Sequence, residues 1–110
     1  MGLDCFWMDK RGNTVYLKFE PPLNLTGGLC SEHGNGSFRG KVYEDVIREL
    51  TGHTLYVELD EYEIKDIAEK LERAKLSEIE GLIERDEFED LKRMFKEYSR
   101  VRGIRLVPYF

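Results

Sequence analysis

Two segments near the start of the chain alternate between apolar and polar residues, as half-buried β-strands do. Residues 3–8 and 14–20 each place apolar side chains on one face, at Leu3, Cys5, Trp7, Val15, Leu17 and Phe19. The residues between them, 9–13, include Gly12 and have the composition of a turn. The pattern therefore predicts an N-terminal β-hairpin that buries Cys5 in the core.

Three later stretches carry apolar residues at helical spacing. We expect the first helix to begin at Ser37 as N-cap and to end before Gly52. The second begins with Asp60 and Glu63, a capping-box pair. The third is capped by Asp86 and stops before Gly103, and a short helix over 78–84 precedes it. The predicted stripes are Val42, Val46, Ile47 and Leu50; Ile64, Ile67, Ala68 and Leu71; and Phe88, Leu91, Phe95 and Tyr98.

Two further strands complete the predicted fold. Residues 54–59 alternate, with Leu55, Val57 and Leu59 inward, and residues 104–107 precede Pro108, which suits only an edge strand or a strand end. The chain has no regular strand–helix–strand alternation. We therefore predict one α+β domain over 1–110, with an antiparallel or mixed sheet of three to four strands and three to four helices on one face.

The segment with no periodicity is a glycine-rich loop. Residues 23–37 follow two prolines and show neither helical nor strand spacing, and residues 26–43 hold five of the ten glycines. Long irregular loops in compact domains are often functional. Residues 26–43 are therefore where the sequence directs a search for chemistry.

The first candidate in this loop is an anion site formed by Ser37, Arg39, Gly40 and Lys41. A helix N-terminus presents unpaired N–H groups, glycines allow close approach, and cationic side chains add charge-assisted bonds. The spacing matches neither a P-loop nor the dinucleotide fingerprint. The alternative is an ordinary capped loop with both cations in solvent.

Cysteine and histidine supply two weaker candidates. Cys30 lies three residues before His33, which is compatible with an activated thiolate only if the loop folds tightly. Together with Cys5 and His53 these residues make a four-ligand zinc set in number, but their spacings match no zinc finger. We therefore assign no metal, no cofactor and no catalytic residue, and expect reduced thiols in a cytoplasmic protein.

Aromatic residues exceed what a core of this size requires. Six of them are candidates for a protein-binding surface: Phe6, Trp7, Tyr16, Tyr56, Tyr109 and Phe110. Exposed aromatics often mark protein interfaces. The alternative is that helices or loops cover them.

Charge and hydropathy exclude two classes of partner. The net charge is −5, and residues 58–97 alone carry 15 acidic and 8 basic residues. Binding to nucleic acid needs clustered Lys and Arg, which this half of the chain lacks. No apolar run reaches the ~18 residues of a membrane span.

These observations favour a non-enzymatic binding or protein-interaction domain, with a homodimer as one form of that interaction. The alternative is a phosphate- or nucleotide-handling protein or enzyme that uses the loop over 26–43, with Cys30 or His33 near the chemistry.

Overall fold

Three antiparallel strands and three α-helices form an α+β fold in the described part of the chain. A computed structural model describes residues 2–28, 36–79 and 81–110. The strands are β1 (Asp4–Met8), β2 (Ser37–Arg39) and β3 (Arg105–Tyr109), and the helices are α1 (Gly40–Thr51), α2 (Glu61–Arg73) and α3 (Arg85–Tyr98). A 3-10 turn, Leu76–Ile79, lies between α2 and α3. The prediction of an α+β class is confirmed.

Strand β1 is the centre of the sheet, whose order is β2-β1-β3. Cys5 lies opposite Phe38 of β2 and opposite Pro108 of β3. The predicted inner face is confirmed, because Leu3, Cys5 and Trp7 are all buried. Trp7 stacks on Tyr98 of α3, which places the core between the sheet and the helices.

The predicted hairpin is wrong. Residues 14–20 form no strand, and their backbone pairing with β1 is limited to a bridge between Met8 and Thr14 and a bond from the Val15 N–H to the Trp7 carbonyl. Both edges of β1 are instead taken by β2 and β3, which are distant in sequence. The alternation still reports burial, since Phe19 is buried and Tyr16 exposed. An apolar face therefore formed here without a hydrogen-bonded ladder.

The predicted strand over 54–59 is also wrong. This segment contains a turn, and Leu59 alone forms a bridge, to Leu106 of β3. Leu55 and Leu59 are buried as predicted, but Val57 is 50% exposed. The turn breaks the two-residue period between them, which is why Val57 faces away from the core.

Two of the helix boundaries predicted from capping residues are found in the structure. Asp60 and Glu63 form a complete capping box, and Gly52 adopts the left-handed conformation, φ 78°, just after α1. The prediction of Ser37 as N-cap is wrong, since Ser37 lies in β2 and Arg39 holds the cap position without a side-chain bond. The buried face of α1 includes Tyr43, whereas Val42, which was predicted in the stripe, is 46% exposed.

The apolar stripes of α2 and α3 bury as predicted, apart from the half-buried Ala68. The helix predicted over 78–84 is replaced by the shorter 3-10 turn, and α3 has Glu84 rather than Asp86 as its N-cap. Among the described helices, none combines the length and the apolar character needed to cross a membrane.

Candidate functional site

The four residues of the predicted anion site lie on two elements. Ser37 and Arg39 belong to β2, and Gly40 and Lys41 begin α1. The Ser37 residue is fully buried, Arg39 is half-buried, and Lys41 is exposed. The structure therefore places Ser37 in the interior and the Lys41 side chain at the surface.

Two backbone donors in this region already have partners. The Arg39 N–H donates to the Thr26 carbonyl at 3.0 Å, and the Lys41 N–H donates to the Leu3 carbonyl at 3.2 Å. A bound anion would have to compete with these bonds. An anion at this position stays a prediction.

Gly40 has a packing role that its sequence context did not indicate. A Cβ atom at this position would lie 2.5 Å from Cys5 Sγ and 3.0 Å from the Leu3 side chain. Separations this short force neighbouring atoms to move. Glycine therefore lets the start of α1 lie directly against β1.

The Arg39 guanidinium lies beside a buried carboxylate. Arg39 Nη1 is 3.9 Å from Asp4 Oδ1, and Asp4 is 7% exposed. No described residue donates a hydrogen bond to Asp4 Oδ1. The negative charge of Asp4 offsets the positive charge of Arg39, which reduces the attraction of this surface for an anion.

Of the cysteine and histidine candidates, the structure describes Cys5 and His53. Cys30 and His33 lie outside the described residues, so the nucleophile stays a prediction. Cys5 is buried, and burial, followed by the charges of Asp4 and Glu44, raises its pKa to about 12. The Cys5 thiol is therefore protonated, and unreactive as a nucleophile, at neutral pH.

His53 follows α1 and contacts charged side chains of α2. His53 Nε2 lies 2.7 Å from Asp66 Oδ2, and Lys70 Nζ lies 3.0 Å from the same oxygen. These two hydrogen bonds lower the pKa of Asp66. Within residues 2–28, 36–79 and 81–110, no group of three or more His, Cys, Asp or Glu side chains is placed to hold a metal ion.

The chain matches no protein-family model, no curated protein and no solved structure.

The feature that the structure does bring together is a pair of exposed rings, Tyr56 and Phe110, which together with their sequence neighbours Val57 and Tyr109 are here called the aromatic patch. It consists of Tyr56, Val57, Tyr109 and Phe110, which are 42%, 50%, 52% and 69% exposed. Tyr56 and Phe110 stack with ring centroids 5.6 Å apart and planes 7° apart. Two rings 54 positions apart in sequence thus meet at the surface.

Three of the six predicted surface aromatics belong to this patch. Phe6 and Trp7 are buried, whereas Tyr16 is exposed but contacts Gly36 outside the patch. The buried Phe6 ring meets Tyr109 edge-to-face at 4.9 Å. The sequence did not indicate Val57 as a surface residue, because the strand predicted over 54–59 would have placed its side chain inward.

A buried carboxylate fixes the loop that carries Tyr56. Glu44 of α1 accepts the Leu55 N–H at 2.6 Å and the Thr54 hydroxyl at 2.7 Å. Thr54 Oγ1 in turn accepts the Tyr56 N–H at 3.2 Å. Arg48 bonds the same carboxylate at 2.7 Å, so the two oxygens of Glu44 make three polar contacts. The loop that carries Tyr56 is therefore held in place before any partner binds.

The outer edge of β3 is closed to a further strand. The Leu106 N–H donates to the Leu59 carbonyl at 3.0 Å, and the Leu59 N–H donates to the Leu106 carbonyl at 2.9 Å. Because backbone groups alternate between the two sides of a strand, Pro108 is the next residue to face this edge, and proline has no N–H to donate. Contacts at this end of the sheet must be made by side chains.

Proposed function

We propose that this chain is a non-enzymatic protein-interaction domain whose contact surface is the aromatic patch. The observation that carries the proposal is the exposed stack of Tyr56 on Phe110. Two large rings that bury part of each other but remain 42% and 69% exposed keep apolar area in water. A protein partner would remove that area from water.

The rigidity of the surface supports a binding role. Exposed side chains on a mobile loop lose conformational entropy when they bind, whereas side chains already fixed lose less. Glu44 fixes the loop before Tyr56, and pairing of β1 with β3 fixes Tyr109. Aromatic residues of this kind supply much of the binding energy in protein interfaces.

The closed strand edge defines the mode of binding. A partner cannot extend the ladder past Leu106, because Leu59 and Pro108 occupy the next positions. At the opposite edge, Phe38 of β2 already bridges Gly27. Side-chain packing on the patch is therefore the proposed mode, rather than addition of a strand.

The test compares Phe110→Ser with a matched control. Tyr62→Ser removes an aromatic ring that is 73% exposed on α2, outside the patch. The immobilised chain and both variants are incubated with a lysate of the source organism, and bound proteins, including this chain itself, are quantified by mass spectrometry. We expect a partner retained by the wild type and Tyr62→Ser and reduced at least about tenfold by Phe110→Ser. Identical sets of bound proteins for all three would refute the proposal.

A further inference from the structure

We infer that a cleft at the start of β3 binds a small zwitterion of the amino-acid class. The cleft has a volume of about 340 Å³, and three other surface clefts of the described residues are smaller, at about 200, 240 and 260 Å³. It lies at the opposite end of β3 from the aromatic patch. The inference therefore goes beyond the proposed function and does not depend on it.

Three segments that are distant in sequence form this cleft. Pairing of Met8 with Arg105 brings the turn that holds Lys10 to the start of β3. The bridge between Leu59 and Leu106 brings the start of α2 to the same place. The lining of the cleft includes four charged residues and two buried ones, which are Lys10, Asp60, Glu61, Arg105, Gly103 and Ile104.

Charges of both signs line the cleft, and they come from separate segments. Lys10 and Arg105 are cationic and belong to the turn after β1 and to β3, whereas Asp60 and Glu61 are anionic and stand at the start of α2. A ligand with a single charge is attracted by one pair and repelled by the other. A ligand with one charge of each sign is attracted by both pairs, so a zwitterion has the complementary charge.

Contacts within the protein hold one group of each sign in place. The Lys10 stem lies against the backbone of Gly103, where an added Cβ would be 2.6 Å from Lys10 Cε. Glu61 Oε2 accepts the Gly103 N–H at 3.1 Å. This bond uses one of the two oxygens of Glu61, and the other oxygen can accept a hydrogen bond from an ammonium group. Less conformational entropy is then lost when the ligand binds.

The volume of the cleft limits the size of the ligand. One water molecule occupies about 30 Å³ of liquid, so the cleft holds a ligand of roughly ten non-hydrogen atoms. An amino acid such as leucine has this size, whereas inorganic phosphate is smaller and a nucleotide is larger. Lys10 and Asp60 are exposed, so the cleft is open to water and its ion pairs with a ligand are weak. We therefore expect a dissociation constant in the millimolar range.

The experiment is a titration of the isotopically labelled full chain with L-leucine up to about 50 mM, followed by amide chemical shifts. N-acetyl-L-leucine, which lacks the ammonium group, and L-leucinamide, which lacks the carboxylate, are titrated in parallel. We expect saturable shifts at Gly103 and Arg105, and binding of each derivative at least about threefold weaker than that of L-leucine. Phe110→Ser should bind L-leucine as the wild type does.

Two variants assign the charges of the ligand to the two sides of the cleft. Lys10→Met keeps a stem against Gly103 but removes the cation, so it should weaken binding of L-leucine and N-acetyl-L-leucine but not of L-leucinamide. Glu61→Gln keeps an oxygen for the Gly103 N–H, and it should weaken binding of L-leucine and L-leucinamide but not of N-acetyl-L-leucine. The control is Lys18→Met, at a side chain that is 86% exposed outside the cleft.

The remaining outcomes overturn the inference or separate it from the proposed function. The absence of any saturable shift at the cleft overturns the inference alone. Binding of either derivative as tightly as L-leucine overturns a zwitterion as the ligand, because one charge would then suffice. Equal binding of L-leucine by Lys10→Met and Lys18→Met overturns the assigned site. Identical lysate capture by the wild type and Phe110→Ser, with L-leucine binding intact, refutes only the proposed function.

Discussion

The rings of Trp7 and Tyr98 stack with centroids 4.2 Å apart and planes 4° apart. The Tyr98 hydroxyl beyond this stack donates to the Val15 carbonyl and accepts the N–H groups of Leu17 and Gly36. One side chain of α3 therefore holds both the irregular segment after β1 and the residue before β2. These bonds replace the ladder that a hairpin would have supplied.

We predict that Tyr98→Phe lowers the free energy of unfolding by about 2 kcal/mol, because it leaves backbone groups without a partner while keeping the stack. Urea denaturation measures the change. The matched control, Tyr62→Phe, removes an exposed hydroxyl and should change stability by less than about 0.5 kcal/mol. Equal stability of both variants would show that water replaces Tyr98 at no cost.

Alkaline pH should destabilise the chain through Tyr43. Its hydroxyl accepts the Thr26 N–H and donates to Glu87, and burial raises its pKa from 10.0 to about 12. A pKa raised in the folded state favours the neutral phenol. The resulting stability is complete below pH 10 and is lost as pH rises from 10 through about 12. Burial raises the pKa of Tyr98 in the same direction.

The measurement is the free energy of unfolding of the wild type and Tyr43→Phe between neutral pH and about pH 11.5. Tyr43→Phe should be less stable at neutral pH but should lose less stability on the alkaline side. Parallel curves for the two proteins would exclude this role of Tyr43.

Glu44→Gln should lower stability by about 1–3 kcal/mol. An amide offers one acceptor where the carboxylate offered two, so one of the donors at Leu55, Thr54 or Arg48 faces an NH₂ group. Glu49→Gln, at an exposed position of the same helix, is the control. Because Glu44 also fixes the Tyr56 loop, Glu44→Gln should weaken association with the partner of the aromatic patch under conditions where it remains folded. Unchanged stability and association would remove Glu44 from both roles.

Gly40→Ala tests whether glycine is present for packing. The new methyl group would meet Cys5 Sγ and Leu3, so we expect a loss of about 1–3 kcal/mol in chemical denaturation without any ligand. Lys41→Ala alters the adjacent exposed residue and should change stability by less than about 0.5 kcal/mol. If Gly40→Ala and Lys41→Ala changed the free energy of unfolding equally little, α1 would be able to move away from β1.

The anion prediction has its own test. Bound sulfate or phosphate raises the thermal midpoint by mass action, and Arg39→Ala should reduce that rise. Sulfate also stabilises proteins without binding a site, so Arg102→Ala, at an exposed position, measures the general effect. An equal rise in both variants would end the prediction.

Some features could be predicted because they depend on neighbours in sequence. The capping box of Asp60 and Glu63, the left-handed Gly52 and the buried stripe of α3 each involve residues within about one or two helical turns. Residues Leu3, Cys5 and Trp7 were correctly assigned to the core because alternation reports which face of a segment is buried.

The candidate site was predicted less completely. The sequence indicated Tyr56, Tyr109 and Phe110 as surface aromatics, but it also included the buried Phe6 and Trp7 and omitted Val57. Nothing in the local pattern shows that Tyr56 and Phe110 stack, or that Glu44 fixes the loop that carries Tyr56.

By itself, then, the sequence determined the α+β class, the local helix signals and much of the buried side-chain set. Only the tertiary structure decided which strands pair with β1, that Ser37 lies in β2 rather than at a helix cap, and which aromatics meet at the surface. The physical reason is that period and capping depend on contacts within a few residues. Strand partners, in contrast, are chosen by the packing of segments up to a hundred positions apart, such as β1 and β3.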